Sequence, residues 1–247
     1  MVTTVVGVFG LSGHTVVVTG ASGNLGHTVV RRYLEAGARV VAAVREVTKG
    51  TELREALGPT ADGPEGTRLR LVEADPADAA AMSRLVEETM GAWGRIDVLA
   101  NLAGGFASAP ATDIEAIGRS WEANVLTTVT ATAACIGPMR SRGYGRVVSV
   151  SAMGAAKGGK GNAGYSMSKG AVVRWTEALA AEVREAGITV NCVMPGSIDH
   201  PKNRERMPKA DPQKWATPEE VAAVILFLSS EQASGVTGAA IPITARS

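Results

Sequence analysis

The stretch TGASGNLG, residues 19–26, lies between two segments of different periodicity and decides the fold. The run VVV at 16–18 before it is apolar and β-branched, which is typical of a buried strand. From Leu25 onward, apolar side chains recur at four-residue steps, which predicts an amphipathic helix that ends at Gly37. A strand, a glycine-rich turn and a helix start in this order predict an anion site, because free backbone N–H groups and the helix dipole both attract a phosphate.

The glycines of this turn favour a nucleotide site over a plain turn. Gly20 permits a tight turn, Gly23 a close approach of the backbone to a pyrophosphate, and Gly26 close packing of the helix on the strand. The spacing G-x-x-G-x-x-G differs from the common dinucleotide pattern G-x-G-x-x-G. The residues expected to contact the nucleotide here are Gly20, Ser22, Gly23, Asn24, Leu25 and Gly26.

The rest of the chain alternates short β-branched runs with longer helical patterns, which predicts βαβ units and a parallel sheet. No repeat, low-complexity tract or linker divides residues 1–247, so we expect one domain. The predicted fold is a Rossmann-type, doubly wound, three-layer α/β fold of about seven strands with helices on both faces. The predicted strands are 14–20, 38–44, 68–73, 96–101, 146–151, 188–193 and 239–243. The predicted helices are 25–36, 48–57, 75–93 (capped by Asp75), 112–140, 165–186 and 218–229.

Composition and charge narrow the class of protein. A net charge of +1 gives no electrostatic bias toward nucleic acid or an anionic membrane, so neither is an expected partner. The longest strongly apolar run, 224–228, is too short to cross a bilayer, and the N-terminus lacks the basic region of a secretory signal. We therefore expect a cytoplasmic protein in which Cys135 and Cys192 are free thiols. No metal site is predicted.

The end of the second predicted strand reads VVAAVRE, and this position selects between the two nicotinamide dinucleotides. An acidic residue there accepts a hydrogen bond from the ribose 2′-hydroxyl of NAD, whereas an arginine suits the 2′-phosphate of NADP. No acid precedes Arg45, whose planar fork of donors matches a phosphate. We expect NADP rather than NAD, with a solvated Arg45 beside Glu46 as the alternative.

The segment GYSMSKGA places Tyr165 and Lys169 four residues apart near the start of a predicted helix, and therefore on one face. A phenol titrates near pH 10, so it is a slow acid–base group at neutral pH. A nearby ammonium stabilises the phenolate and lowers its pKa. A shift of about three units needs roughly 4 kcal/mol, which a lysine and an oxidised nicotinamide supply in a sheltered cleft. The pair is a candidate acid–base centre.

Further motifs surround this pair in a fixed order, and together they resemble the short-chain dehydrogenase/reductase family in its single-domain branch. The resemblance runs nearly end to end, and several weak motifs in the right order make a strong one. The motifs are TGASGNLG (19–26), NLAG (101–104), WEANV (121–125), VVSVSAMG (147–154), YSMSK (165–169), NCVMPGSI (191–198) and TPEEVAAVILFLSS (217–230).

The resemblance implies an NADP-dependent oxidoreductase of the ketone or 3-oxoacyl reductase type, acting on a small carbonyl or alcohol. NADPH passes a hydride to the carbonyl carbon while Tyr165 protonates the oxygen, or the reverse. Ser151 bonds the substrate oxygen. Lys169 holds the nicotinamide ribose and lowers the pKa of Tyr165, and Asn124 holds a water of a proton relay. The other implied cofactor contacts are Arg45, Asp75, Asn101, Ala103, Gly104, Tyr165, Lys169, Pro195, Gly196 and Ile198.

The chain departs from the family pattern at several positions. Ser151 stands 14 residues before Tyr165, one more than is usual, while Ala152 stands at the usual spacing but has no hydroxyl. The other departures are Asn24 in place of a glycine, Leu102 in place of an asparagine, Asp199 after Ile198, and the unusual end IPITARS. These departures leave an alternative function open, that of a cofactor-sensing protein with impaired catalysis. The glycine spacing also resembles sugar-nucleotide epimerases and dehydratases, although no residues remain for a separate substrate domain.

Two further expectations concern the substrate and the assembly. Residues 196–215 resemble the mobile substrate lid of the family, and their excess of basic residues favours an acidic or phosphopantetheine-linked substrate, or closure over the NADP phosphates. A solvated charged loop is the alternative. The helices 112–140 and 165–186 resemble those of the family's dimer interface, so we expect a homodimer or homotetramer. Their alanine-rich faces also suit packing against the sheet.

Overall fold

A parallel sheet of seven strands forms the centre of the computed structural model, which describes residues 9–63 and 66–246. Residues 1–8, which hold most of the segment screened for a secretory signal, lie outside the described residues. The strands are β1 (Thr15–Thr19), β2 (Arg39–Val44), β3 (Leu69–Glu73), β4 (Val98–Asn101), β5 (Gly145–Val150), β6 (Ile188–Pro195) and β7 (Ala240–Ile243). Their order in the sheet is β3-β2-β1-β4-β5-β6-β7.

Helices cover both faces of this sheet. Those described are α1 (Asn24–Glu35), α2 (Val47–Leu57), α3 (Ala79–Trp93), α4 (Ile114–Trp121), α5 (Thr127–Arg142), α6 (Ala163–Val183), α7 (Pro201–Arg206) and α8 (Pro218–Leu228). The β1 residues are all buried because one core lies on the side of α1 and α8 and another on the side of α3, α5 and α6. The predicted three-layer, doubly wound α/β fold is confirmed.

Strand order reverses at the centre of the sheet, and this reversal positions the site. β1 pairs with β2 on one side and with β4 on the other, in parallel register throughout. The crossovers therefore leave β1 in opposite directions, and a crevice opens beyond the carboxyl ends of β1 and β4. The glycine-rich turn follows β1, and the turn at Gly104 and Gly105 follows β4.

Three predicted helix boundaries or caps differ from the structure. Asp75 does not cap α3: its Oδ1 accepts from Ala77 N in a turn, and Asp78 caps the helix by accepting from the backbone N–H groups of residues 80 and 81. The sequence offers two Asp residues three apart, and Pro76 forms a turn between them. The predicted helix 112–140 is α4 and α5 joined by a π-helical turn, Glu122–Leu126. The helix predicted from Tyr165 begins two residues earlier, at Ala163.

The segment predicted as a polar lid contains local structure. After β6, α7 occupies Pro201–Arg206 and a 3₁₀ turn occupies Pro212–Lys214. Within the part of the chain that the structure describes, no helix is long and apolar enough to span a membrane.

Candidate active site

The glycine-rich turn has the geometry of a phosphate cradle. Gly20 has a φ of +66°, and a Cβ there would lie 2.7 Å from Ala103 N, so only glycine fits. A Cβ at Gly26 would collide with the backbone carbonyls of Gly20 and Ala21. Gly23 occupies the N-cap of α1 without a side-chain cap, which leaves the first N–H groups of this helix free for an anion. The residues present therefore fit the pyrophosphate of a dinucleotide.

A cleft of about 470 Å³ extends from this turn along the carboxyl ends of the strands. Its walls are the glycine turn, the end of β2, Asp75 and the turn after β4, so Ser22, Arg45, Ala103 and Gly104 line it as expected. Asn101 does not point into the cleft: it is buried, and its Nδ2 donates to Thr132 Oγ1 at 3.0 Å. The side chain of Asn101 braces the sheet against α5, and any contact with a cofactor there is made through backbone atoms.

The end of the cleft at β2 carries two cations and one acid. Arg45, Glu46 and Lys49 all line it. Lys49, which the sequence analysis missed, donates to both oxygens of Glu52 at 2.9 Å, and this contact raises the pKa of the lysine. Its signal in the sequence is a second cation four residues after Arg45. Arg45 makes no ion pair within residues 9–63 and 66–246, so its guanidinium is available to a phosphate.

Tyr165 and Lys169 share one face of α6, as the spacing predicts. Lys169 Nζ lies 6.0 Å from the centroid of the Tyr165 ring and donates to Val150 O at 2.8 Å. Burial lowers the pKa of Lys169 to about 8, and burial raises the pKa of Tyr165. Removal from water is the cause of the raised phenol pKa, and its lowering by Lys169 stays a prediction.

Asn124 lies in the π-helical turn and holds the turn after β4 in place. Its Oδ1 accepts from Gly105 N at 3.1 Å, and its Nδ2 donates to Gly105 O at 3.1 Å and to Ser168 Oγ at 3.2 Å. A Cβ at Gly104 would lie 2.6 Å from Asn124 Oδ1 and 3.1 Å from Lys169 Nζ. Three of the predicted site residues, from three separate segments, therefore meet at this point.

The hydroxyl of Ser151 has a different partner from the one expected. It is buried and donates to Lys169 O at 2.8 Å, so its single proton is taken by a backbone carbonyl of α6. Ala152, with extended backbone, follows at the strand end and has no hydroxyl to offer.

The lid segment contacts the glycine turn and the loop after β4, which the sequence does not predict. Asn24 Nδ2 lies 2.9 Å from His200 Nδ1, so the residue that replaces a glycine in the cradle bonds the lid. The guanidinium carbon of Arg206 lies 4.9 Å above the ring of Phe106, and that ring meets Tyr165 edge-on at 5.1 Å. No periodicity in the sequence indicates these contacts, because each joins distant segments.

The lid leaves the sheet through a short segment that contains Pro195, Gly196, Ile198 and Asp199. Gly196 N donates to Ile243 O at 2.9 Å, and Ile198 forms an isolated bridge with Ala216. Asp199 accepts two hydrogen bonds from Arg204, both of 2.7 Å, which hold the pKa of this carboxyl below its usual range. The carboxylate that departs from the family pattern is thus paired with Arg204 within the lid. Its negative charge is balanced, which reduces the repulsion of a cofactor phosphate.

The crevice, the glycine cradle and the Tyr165–Lys169 pair define an α/β protein that binds a dinucleotide at the switch point of its sheet. The family model for short chain dehydrogenase matches residues 14–211. This chain belongs to the short-chain dehydrogenase family and is an oxidoreductase of that family, whose members bind NAD or NADP. In the described residues, no group of three or more His, Cys, Asp and Glu side chains is placed to hold a metal.

Individual relatives agree with this assignment. The chain is 32% identical to an acetoacetyl-CoA reductase of Acinetobacter sp., an alignment covering 92% of this chain and 94% of the relative. It is 30% identical to the 3-oxoacyl-[acyl-carrier-protein] reductase FabG of Thermotoga maritima, over 94% of this chain and 97% of that protein. Among solved structures, NAD⁺-bound xylitol dehydrogenase superposes with a TM-score of 0.86 at 25% identity, over 95% of this chain and 99% of that one.

Proposed function

We propose that this oxidoreductase uses NADP to interconvert a carbonyl compound and its secondary alcohol. The observation that carries the proposal is that Lys169, beside Tyr165 on one face of α6, meets the turn at Gly104, which lines the cleft of the glycine cradle. Bound NADPH supplies a hydride to the carbonyl carbon, or accepts it in the reverse reaction. The residues of the chain bind and orient the cofactor and the substrate, and they move the proton.

Tyr165 is the proton donor in this proposal. In reduction, its phenol O–H donates to the carbonyl oxygen; in oxidation, the phenolate accepts the alcohol proton. Because burial raises its pKa, the phenol keeps its proton at neutral pH, which suits the reductive direction. Lys169 uses one of its three N–H donors on Val150 O, so two remain for the ribose hydroxyls of the nicotinamide half.

Asn124 and Ser151 act around the lysine. Asn124 lies in the π-helical turn and holds the turn after β4 in place. In the proposal, it also binds a water of the proton relay. The role expected for Ser151 needs its hydroxyl proton, which the Lys169 carbonyl accepts here. In the proposal, Ser151 therefore positions Lys169, and Tyr165 alone donates to the substrate oxygen.

The preference for NADP rests on Arg45 and Lys49 at the end of β2. A fluorescence titration with NADPH and NADH tests it. We expect NADPH to bind more tightly, and Arg45→Gln to weaken NADPH binding about tenfold while NADH binding changes little, because only NADPH carries the 2′-phosphate. Equal affinity for both dinucleotides in the wild type would contradict the NADP assignment and leave the fold unaffected.

Turnover on a panel of ketones and β-ketoacyl thioesters tests the activity itself. The relatives named above act on 3-oxoacyl thioesters by name, which makes these the first substrates to try. We expect Tyr165→Phe to lower kcat by about 10²- to 10⁴-fold with little change in cofactor affinity, because the phenol O–H is lost and the ring is kept. A Tyr165→Phe variant with wild-type turnover would exclude this residue as the proton donor.

A cofactor-binding sensor with slow turnover is the second candidate, favoured by one observation. The hydroxyl of Ser151 is committed to a backbone carbonyl and Ala152 has none, so the described site offers the substrate oxygen few donors besides Tyr165. Tight NADPH binding without turnover across the panel would select this candidate. The sugar-nucleotide alternative has no observation in its favour beyond the glycine spacing.

The assembly and the location are also proposals. Ile114, Trp121 and Leu126 expose 82%, 45% and 42% of their surfaces along α4 and the π turn, which suits an apolar face covered by a second copy. Light scattering after size exclusion would distinguish the homodimer and homotetramer that we propose from a monomer. Cys135 and Cys192 are buried free thiols, which fits the reducing cytoplasm.

A further inference from the structure

A stack of three side chains connects the lid to the proposed proton donor. Arg206, the last residue of α7, lies with its guanidinium carbon 4.9 Å above the Phe106 ring centroid. Phe106 in turn meets the Tyr165 ring edge-on, with centroids 5.1 Å apart and an interplanar angle of 79°. A positive charge is therefore placed one aromatic ring away from the group that protonates the substrate.

The charge of Arg206 is free to bind a ligand. The neighbouring Arg204 is neutralised by Asp199, whereas Arg206 forms no ion pair with any residue of 9–63 or 66–246. The guanidinium carbon lies over the Phe106 ring, Arg206 is exposed, and the edge of a guanidinium carries five N–H donors. This edge matches the two oxygens of a carboxylate, which it binds through two parallel hydrogen bonds.

The position of Arg206 points to the substrate rather than to the cofactor. The cradle for the pyrophosphate lies at the start of α1, and the candidate site for the 2′-phosphate lies at Arg45, at the far end of the cleft. Arg206 lines neither part, and within residues 9–63 and 66–246 it meets the site through Phe106, which contacts Tyr165. An anion bound there belongs to the molecule whose carbonyl oxygen receives the proton.

We propose that Arg206 selects substrates that carry a carboxylate close to the reacting carbonyl, such as short keto acids and the corresponding hydroxy acids. This proposal rests on the proposed carbonyl–alcohol activity and names its substrate class. The carboxylate bonds the open edge of the guanidinium while the carbonyl oxygen faces Tyr165. Phe106 separates the two and sets the distance between carboxylate and carbonyl.

A matched pair of substrates tests this assignment. Keto acids of four to six carbons and their methyl esters, for example acetoacetate and methyl acetoacetate, differ in charge and little in shape. We expect Arg206→Gln to lower kcat/KM for the acid by about 10- to 100-fold, the typical effect of losing a charge-assisted hydrogen bond, and to change the ester less than threefold. Arg206→Lys keeps the charge without the planar fork and restores part of the loss. Arg84→Gln, at an exposed arginine of α3 outside the cleft, is the control that leaves both substrates unchanged.

Each other result identifies a different error. An equal loss for acid and ester would show that Arg206 only holds the lid, and no loss for either would remove it from the site; both overturn the proposal. A weakened affinity for NADPH, measured without substrate, would assign the guanidinium to a cofactor phosphate and also overturn the proposal.

If the wild type turns over no carbonyl, calorimetric titration of 3-hydroxybutyrate into protein with NADP⁺ still decides the question. Binding that is lost in Arg206→Gln supports the carboxylate site while the proposed activity fails. Wild-type protein that binds neither acid nor ester, by turnover or by heat, refutes the carboxylate site.

Discussion

Lys169→Met is the most informative single change, because it removes a buried charge whose pKa is displaced. The Lys169 side chain is almost fully buried, and removal from water lowers its pKa to about 8 from an ordinary value near 10.4. The folded protein therefore binds this proton less tightly than the unfolded chain does. Below pH 8 both states are charged and the folded state bears the full penalty of about 3 kcal/mol.

The sign of the pH dependence follows. As pH rises from 8 to about 10.4, first the folded and then the unfolded lysine loses its proton, and the penalty disappears. The stability of the wild type relative to Lys169→Met should therefore increase by about 2 to 3 kcal/mol between pH 7 and pH 10. The variant also leaves Val150 O without its donor, which costs about 1 to 3 kcal/mol at every pH and offsets the curve without changing its slope.

Urea unfolding of both proteins at pH 7, 8, 9 and 10 measures this slope. Taking the difference between the two proteins cancels the groups that do not interact with Lys169, such as the buried Tyr33 and Cys135. Lys160→Met, at an exposed lysine in the loop before α6, is the matched control and should give a flat difference. A flat difference for Lys169→Met as well would refute the reasoning, because it would mean that Lys169 titrates in the fold as it does in water.

Three further predictions concern contacts that the structure adds to the expected site. Ser151→Ala should keep kcat within a few fold while lowering the free energy of unfolding by about 1 kcal/mol. Ala152→Ser should raise kcat, because its hydroxyl adds a hydrogen-bond donor for the substrate oxygen. A 10²-fold loss of kcat in Ser151→Ala would show that the Ser151 hydroxyl bonds the substrate oxygen after all. Asn24→Gly and His200→Ala should each speed NADPH dissociation about 3- to 10-fold, and the double variant should dissociate no faster. The reason is that both changes remove the same hydrogen bond between cradle and lid. Additive effects in stopped-flow traces would contradict a shared bond. Asp97→Ala should cost about 3 to 5 kcal/mol in urea unfolding, because this fully buried carboxylate holds a guanidinium and a backbone N–H; a loss below 1 kcal/mol would show that the pair is solvated.

Much of the fold could be predicted because its signals are local. β-branched runs, four-residue apolar steps and glycine punctuation predict strands and helices from neighbours in the chain, and the seven strands appear at nearly the predicted positions. The boundaries that differ reflect close competition between local alternatives. Asp75 and Asp78 both offer a cap, and only the observed turn at Pro76 selects Asp78.

The site was predictable where one residue type is required by its own backbone or its own helix. Gly20 and Gly26 must be glycines because a Cβ would meet backbone atoms, and Tyr165 and Lys169 share a face because one helical turn separates them. The direction in which a hydroxyl proton points is not a local property. Ser151 donates to Lys169 O, 18 residues away, because α6 packs on the end of β5.

The sequence by itself determined the order of elements, the glycine turn and the shared helix face of Tyr165 and Lys169, since each depends on local patterns in the chain. Only the tertiary structure decided which side chains from distant segments meet. Asn24 and His200 are 176 positions apart, and Arg206 reaches Tyr165 only through Phe106, on a loop after another strand. Such contacts arise from the packing of whole elements, which leaves no pattern along the chain. Two of them are particular to this structure: the hydrogen bond between Asn24 and His200, and the placement of Arg206 over Phe106.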